Sequence, residues 1–235
     1  TVGVTASTEY MDGNISEIVV FNRDLTTTER QQVEGYLAWK WGLQTSLPTS
    51  NPYQQAFTLP TGHPYSKFPT TMRLFNPLDI DSCCLWLDAN DGNTFTPANP
   101  TSGATITAWR DKSSNAMSCT SVVGASGRTI TYRTSTGYPS VFVNNANVSP
   151  ALGSQCYINV PNNIQNGFSD FTCVAVVNFQ SRTDSPNSTL YSTIYANSKG
   201  TSGETRLQFG LGGSFEFNTS TSSAFSGIFV QYDSN

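Results

Sequence analysis

From residue 82 onward the apolar runs of this chain are short, and clusters of turn residues separate them. Segment 84–88 gives way to Ala89, Asn90, Asp91, Gly92 and Asn93, and 106–109 gives way to Arg110, Asp111, Lys112 and Ser113. Further runs follow at 138–143, 171–179, 206–209, 214–217 and 228–232. β-Branched and aromatic residues fill them, so they read as strands. In 171–179 both alternating sets of residues are mostly apolar, which predicts a central strand covered on each face. In 214–217 only Phe215 and Phe217 are apolar, which predicts a half-exposed one. Many short strands with turns between them predict an all-β, antiparallel β-sandwich.

Residues 14–21 are a β-branched run after the turn pair Asp12-Gly13 and read as another strand. Next comes the one clear helix. Thr26 serves as N-cap with Glu29 three residues on, so that each side chain satisfies a free backbone N–H at the helix start. Val33, Tyr36, Leu37 and Trp41 then share one stripe, and Gly42 closes the element. The expectation is an amphipathic helix of about 15 residues lying on a sheet. Between Gln44 and Asp81 the pattern dissolves. Pro48, Pro52, Pro60, Pro64, Pro69 and Pro77 forbid regular ladders, while Tyr53, Phe57, Tyr65, Phe68 and Phe75 suit a packed strap better than a free tether.

Composition excludes several classes. The net charge is −4 and charged residues make up only 12% of the chain, with no Lys/Arg cluster, so the electrostatic footprint of a nucleic-acid binder is missing. No run approaches the ~20 apolar residues that cross a bilayer, so membrane insertion is not expected. The start, Thr1-Val2-Gly3-Val4, reads as the interior of a longer polypeptide. Cys83, Cys84, Cys119, Cys156 and Cys173 are odd in number and irregular in spacing, and read as reduced thiols. They lack the paired spacing of a zinc site, and His63 is the single histidine.

Two segments carry a resemblance. Residues 84–89, Cys-Leu-Trp-Leu-Asp-Ala, followed by 108–113, Ala-Trp-Arg-Asp-Lys-Ser, resemble the opening of concanavalin A-like (laminin-G-like) jelly-roll modules. Ser114 stands where those modules usually have Gly. Residues 13–25 with Thr28, Glu29, Arg30 and the stretch 34–43 resemble their closing strand and terminal helix. The closing part thus precedes the opening part, as it would in tandem copies cut in mid-module. The strap residues His63, Pro64 and Tyr65, Phe68 and Pro69, and 75–80 look like those of repeat-bearing structural proteins of large DNA viruses. Residues 1–43 and 82–235 together match one sandwich in length, joined by the strap at 44–81. They form either one sandwich in permuted order or two half-modules completed by neighbouring chain; the first is favoured.

That resemblance sets the chemistry to be looked for. Members of the fold often hold Ca²⁺ near a sheet rim, and Asp88 and Asp91, with Asn90 and Asn93, form an oxygen-rich turn. Their spacing fails the EF-hand pattern, and an Asx-turn accounts for the same residues. No cofactor is otherwise expected. Some relatives by fold are glucan hydrolases, which need paired carboxylates at alternating strand positions. Glu17 and Asp24 do not alternate, Asp79 and Asp81 lie in a proline-bounded loop, Glu204 and Glu216 are isolated, and His63 has no serine partner, so no catalytic residue is assigned. Among the tryptophans, Trp41 and Trp86 sit in the apolar pattern and read as core. Trp39 lies off the helical stripe and is the candidate for ligand contact, although packing against the strap explains it equally well. Sequons begin at Asn14, Asn187 and Asn218.

Two functions follow. The first is a non-enzymatic structural component, a minor capsid or capsid-associated virion protein built from tandem modules and packed against other capsid subunits. The alternative is a glycan-binding adhesion module, extracellular or at a cell surface, whose mark is an open, aromatic-floored groove with converging Asn and Asp side chains.

Overall fold

The computed structural model describes residues 13–54, 75–124, 128–134, 137–144, 156–161 and 171–179, together with the backbone of 192–196, 205–209, 215–219 and 230–231. In chain order the elements are β1 (Gly13–Phe21), α1 (Thr27–Lys40), β2 (Cys83–Asp88), β3 (Phe95–Thr96), β4 (Ala108–Arg110), β5 (Ser118–Val123), β6 (Ile130–Arg133), β7 (Ser140–Val143), β8 (Cys156–Asn159), β9 (Thr172–Phe179), β10 (Ser192–Ala196), β11 (Thr205–Phe209), β12 (Phe215–Thr219) and β13 (Val230–Gln231). The largest sheet runs β13-β9-β1-β7-β6, with β2 also on β1; β3-β4-β5-β8 and β10-β11-β12 form two others. All pairs are antiparallel except β13 with β9. The described chain is therefore mostly antiparallel β with one α-helix. No described helix is long and apolar enough to cross a membrane.

β1 organises the large sheet. Along one edge it pairs with β9 from Gly13 to Phe21. Its other edge is divided, Gly13–Ile15 against β7 and Glu17–Phe21 against β2. The register slips between Ile15 and Glu17. That bulge reverses the alternation, so Ile15 joins Ile18 and Val20 on one face while Val19 and Phe21 take the other.

Each face then finds its own cover. Ile18, Leu85, Val141 and Ala175 meet Trp109, Cys119 and Ile158 of the β3-β4-β5-β8 sheet in one core. Val19, Phe21, Trp86, Val174 and Val176 meet Val33, Tyr36, Leu37 and Trp41 of α1 in a second. The layers are helix on sheet on sheet. At the β6 edge the chain crosses between the two sheets. The N–H groups of Gly103 and Ile106 donate to the carbonyls of Tyr132 and Ile130, and Tyr132 N–H donates to Ala104, all at 2.8–2.9 Å. This stretch leads directly into β4, so the sheet curls over. β9, enclosed by β13 and β1 and buried on both faces through Val177, is the central strand expected at 171–179. Strands β5, β6 and β8 were not legible as runs because they are short, two of them only four residues, and polar residues interrupt them.

The helix forms where expected. Thr26 and Glu29 make both capping-box hydrogen bonds, and Gly42 adopts φ 71°, the left-handed conformation that closes a helix. Its stripe is buried, and burying Val33 and Leu37 contributes roughly 1.5–3 kcal/mol apiece. The buried surface extends past the stripe to Glu34, Gly35 and Ala38, because residues 44–54 fold back across the helix. A Cβ on Gly35 would lie 2.7 Å from Cβ of Tyr53. The described parts of the proline-rich segment carry 3-10 turns at Gln44–Ser46 and Pro77–Asp79, and Leu47 and Tyr53 are buried. Phe75 packs against Tyr36 with ring centroids 5.7 Å apart. Phe57, His63, Tyr65 and Phe68 lie outside the described residues, as do the side chains of Glu204, Phe215, Glu216 and Phe217.

Candidate functional site

The residues of the two motif segments converge at the C-terminal end of α1. In the β1–β2 register Glu17 stands opposite Asp88, and both side chains are buried beneath the helix. Two like charges facing each other across a strand pair are destabilising unless a cation separates them. Lys40, in the last turn of α1, supplies it. Its Nζ lies 2.8 Å from Oε2 of Glu17 and 2.7 Å from Oδ1 of Asp88. Glu17 also accepts from Nε1 of Trp41 and of Trp86, each at 2.7 Å, and from the Tyr36 hydroxyl at 3.0 Å. Those donors come from α1, its C-cap and β2, so one carboxylate joins three parts of the fold.

A second cation continues the network. Lys112 Nζ lies 3.0 Å from Asp88 and 3.1 Å from Asp91, and 4.2 Å from the centroid of the Trp86 ring. The Asp111–Ser113 loop that carries it is laced to β2. Asp111 Oδ1 accepts from the backbone N–H of Trp86 at 2.8 Å and of Ser113 at 2.7 Å, and Lys112 N–H donates to the Trp86 carbonyl at 2.8 Å. The Ser113 hydroxyl closes on Asp111 Oδ2 at 2.6 Å. The Trp-Arg-Asp-Lys-Ser motif is thus a device for fastening a loop along a strand. Ser114, the departure from the usual Gly, is not among the residues at positive φ; Ala116 is, at φ 47°.

Burial pushes the Glu17 carboxyl above its ordinary pKa, and Lys40 opposes that push. Burial acts on Asp88 in the same sense, but Lys40 and Lys112 outweigh it and hold that carboxyl below its usual range. Glu34 is less well compensated. One oxygen accepts from Asn51 Nδ2 at 2.7 Å, the other lies 3.7 Å from Arg30 without a hydrogen bond, and burial raises the group.

Asp88 and Asp91 are brought together, but around the ammonium of Lys112. Their turn is built of Asx contacts: Asn90 N–H donates to Asp88 at 3.0 Å and Asn93 N–H to Asp91 at 3.3 Å. Among the described residues no three His, Cys, Asp or Glu side chains gather as a metal-binding group. Trp39 is half-buried and its Nε1 donates to the Tyr53 carbonyl at 2.8 Å, which ties it to the segment folded over the helix. Trp41 and Trp86 are in the core as expected, with their indole N–H groups spent on Glu17. All five cysteines are buried and outside any disulfide, and burial pushes Cys83, Cys84, Cys119 and Cys173 up to about 12. Asn14 is only 8% exposed and accepts from the Ser140 hydroxyl at 3.3 Å. Asn187 and the side chain of Asn218 lie outside the described residues.

Sequence reasoning missed Glu17, Tyr36, Lys40 and Lys112 as partners of one another. Glu17 carried the available signal: a single acid inside a β-branched run has to be neutralised by something from another element. Compared with known proteins, the chain matches no family model, no curated protein and no solved structure.

Proposed function

We propose that this chain is a non-enzymatic structural module, a virion protein of a large DNA virus whose β layers pack against neighbouring capsid subunits. The observation that carries the reading is the placement of its buried acids. Glu17, Asp88 and Asp111 each bind groups of the strands, loop and helix that they hold together. A hydrolytic pair needs two carboxylates facing one bond across about 5–9.5 Å. Glu17 and Asp88 face one ammonium instead, which favours a role in fastening the layers. The low charge of the chain suits a surface that other subunits cover.

We read the architecture as a concanavalin A-like jelly roll in permuted order, with 1–43 closing the sandwich that 82–235 opens. The pairing of β1 with β2, β7 and β9 supports this reading. Quantitative mass spectrometry of gradient-purified virions tests the role. The chain is expected at a copy number comparable with other structural proteins and resistant to high-salt washing. Recovery only from soluble fractions, away from particles, would refute it.

A further inference from the structure

We propose that Lys40 and Asp88 condense into an intramolecular amide, with Glu17 carrying the protons, so that α1 becomes covalently bonded to β2. The bond does not depend on what the chain packs against. Its partners are already assembled in the ion pair. Lys40 Nζ lies 2.7 Å from Oδ1 of Asp88, which, with a carbon–oxygen bond of about 1.2 Å, keeps the nitrogen within about 4 Å of Cγ. Reacting atoms start from about 3–3.5 Å, so little movement separates the pair from attack. Glu17 Oε2 lies 2.8 Å from the same nitrogen, and Lys112 Nζ lies 3.0 Å from the other Asp88 oxygen, Oδ2.

Condensation releases water, so it needs a site that bulk water does not fill and partners that are held in place. The side chains of Glu17, Asp88 and Lys40 are 0%, 5% and 13% exposed. The rings of Tyr36 and Trp41 each stand 5.2 Å from Nζ, and the Tyr36 hydroxyl accepts from it at 2.9 Å. Lys112 gives the contrast: it too touches two carboxylates, but the side chain of Asp91 is 33% exposed, and water competes there. A second carboxylate on Lys40 exceeds what charge balance requires. Burial favours the protonated form of Glu17, which suits it to take up a proton and give it back.

The resting pair is an ammonium and a carboxylate, so a proton moves first, along the short contact from Nζ to Oδ1. The resulting amine attacks Cγ of the neutral acid, and the π pair of the carbonyl moves onto Oδ2, where the Lys112 ammonium stabilises it. Glu17 Oε2 takes a second proton from the nitrogen as the C–N bond forms. The pair on Oδ2 then restores the carbonyl, the Cγ–Oδ1 bond breaks, and Glu17 returns its proton to the departing hydroxyl. One water leaves, one proton stays on the amide nitrogen, and no oxidant is consumed. The product closes residues 40–88 into a covalent ring that includes the whole strap at 44–81.

The experiment is intact-mass and tryptic tandem mass spectrometry of the full native chain, incubated for days at neutral pH. The chain is expected to be lighter than its sequence by one water. Trypsin does not cut after an acylated lysine, so peptide 31–67 is expected joined to peptide 74–110 through Lys40 and Asp88. Lys40→Arg keeps a cation there but has no amine to acylate, and is expected to retain the full mass. Glu17→Gln is expected to slow the loss of water roughly a hundredfold or more. The mass of the parent chain decides even where a variant fails to fold. A full sequence mass in the native parent, water lost without the 31–67 to 74–110 link, equal loss in Lys40→Arg, or a link formed as fast in Glu17→Gln would each overturn the proposal.

Discussion

Replacing Lys40 with Met keeps an unbranched stem against Tyr36 and Trp41 but removes the ammonium between Glu17 and Asp88. At 2.8 Å and an effective dielectric constant of about 20, the attraction between Lys40 and Glu17 is about 6 kcal/mol. Part of that is offset because the variant no longer desolvates a lysine. The net loss expected for stranding a buried carboxylate is about 3–5 kcal/mol. Asp88 retains Lys112, so most of the cost falls on Glu17, which has no second cation among the described residues.

Glu17 relieves that cost by taking a proton, which gives the variant a signed pH dependence. Its folded pKa, already raised by burial, rises further without Lys40. A group whose folded pKa exceeds its unfolded value contributes stability below the unfolded pKa and loses it as pH rises through the folded one. Lys40→Met is therefore expected to lie closer to the parent at about pH 5 than at about pH 8. Urea unfolding at both pH values, in a double-mutant cycle with Glu17→Gln, measures this. A loss under about 1 kcal/mol, or an equal loss in the Glu17→Gln background, would show that the ion pair is not what holds the helix to the sheet.

Three further outcomes follow from single contacts. Glu29 is held at about 2, first by its two hydrogen bonds with Arg23 and then by the Thr26 cap. Its contribution is present above its ordinary pKa and lost as pH falls toward 2; because the pair is about one-third exposed, about 1 kcal/mol is expected, and Glu29→Gln should abolish that slope in urea midpoints. With four thiols pushed up to about 12 by burial, iodoacetamide near pH 8 should label native protein slowly and all five cysteines once it is denatured; rapid native labelling of any of the four contradicts their placement. Gly35→Ala drives a methyl into Tyr53 and should cost about 1–3 kcal/mol in chemical denaturation, with loss of Tyr53 protection; a neutral effect would mean that 44–54 does not pack there.

The helix could be read from the sequence because its signals are local: a cap, a stripe and a terminal glycine within a few turns. The central character of 171–179 was equally local, since both of its alternating faces are apolar. What could not be read was pairing. Glu17 and Asp88 are 71 positions apart, and only the β1–β2 register places them opposite each other. The Ser16 bulge was hidden as well. Spacing alone puts Ile15 and Val19 on one face, and the slip reverses that assignment. Asp88 was legible as chemically notable, but its partners were not. A carboxylate in a turn looks the same in sequence whether it meets a cation from solvent or a lysine brought in by a distant helix.

β1 also constrains how the molecule comes into being. The strand at the middle of the large sheet is the first described element to leave the ribosome, yet β9, which lines its whole length, is completed only at Phe179. Until then one edge of a run of Ile, Val and Phe must wait without its permanent neighbour, and the closing of that long loop is expected to set the pace of maturation. Nascent chains stalled before 172 should therefore be the most dependent on chaperones and the most prone to associate with one another.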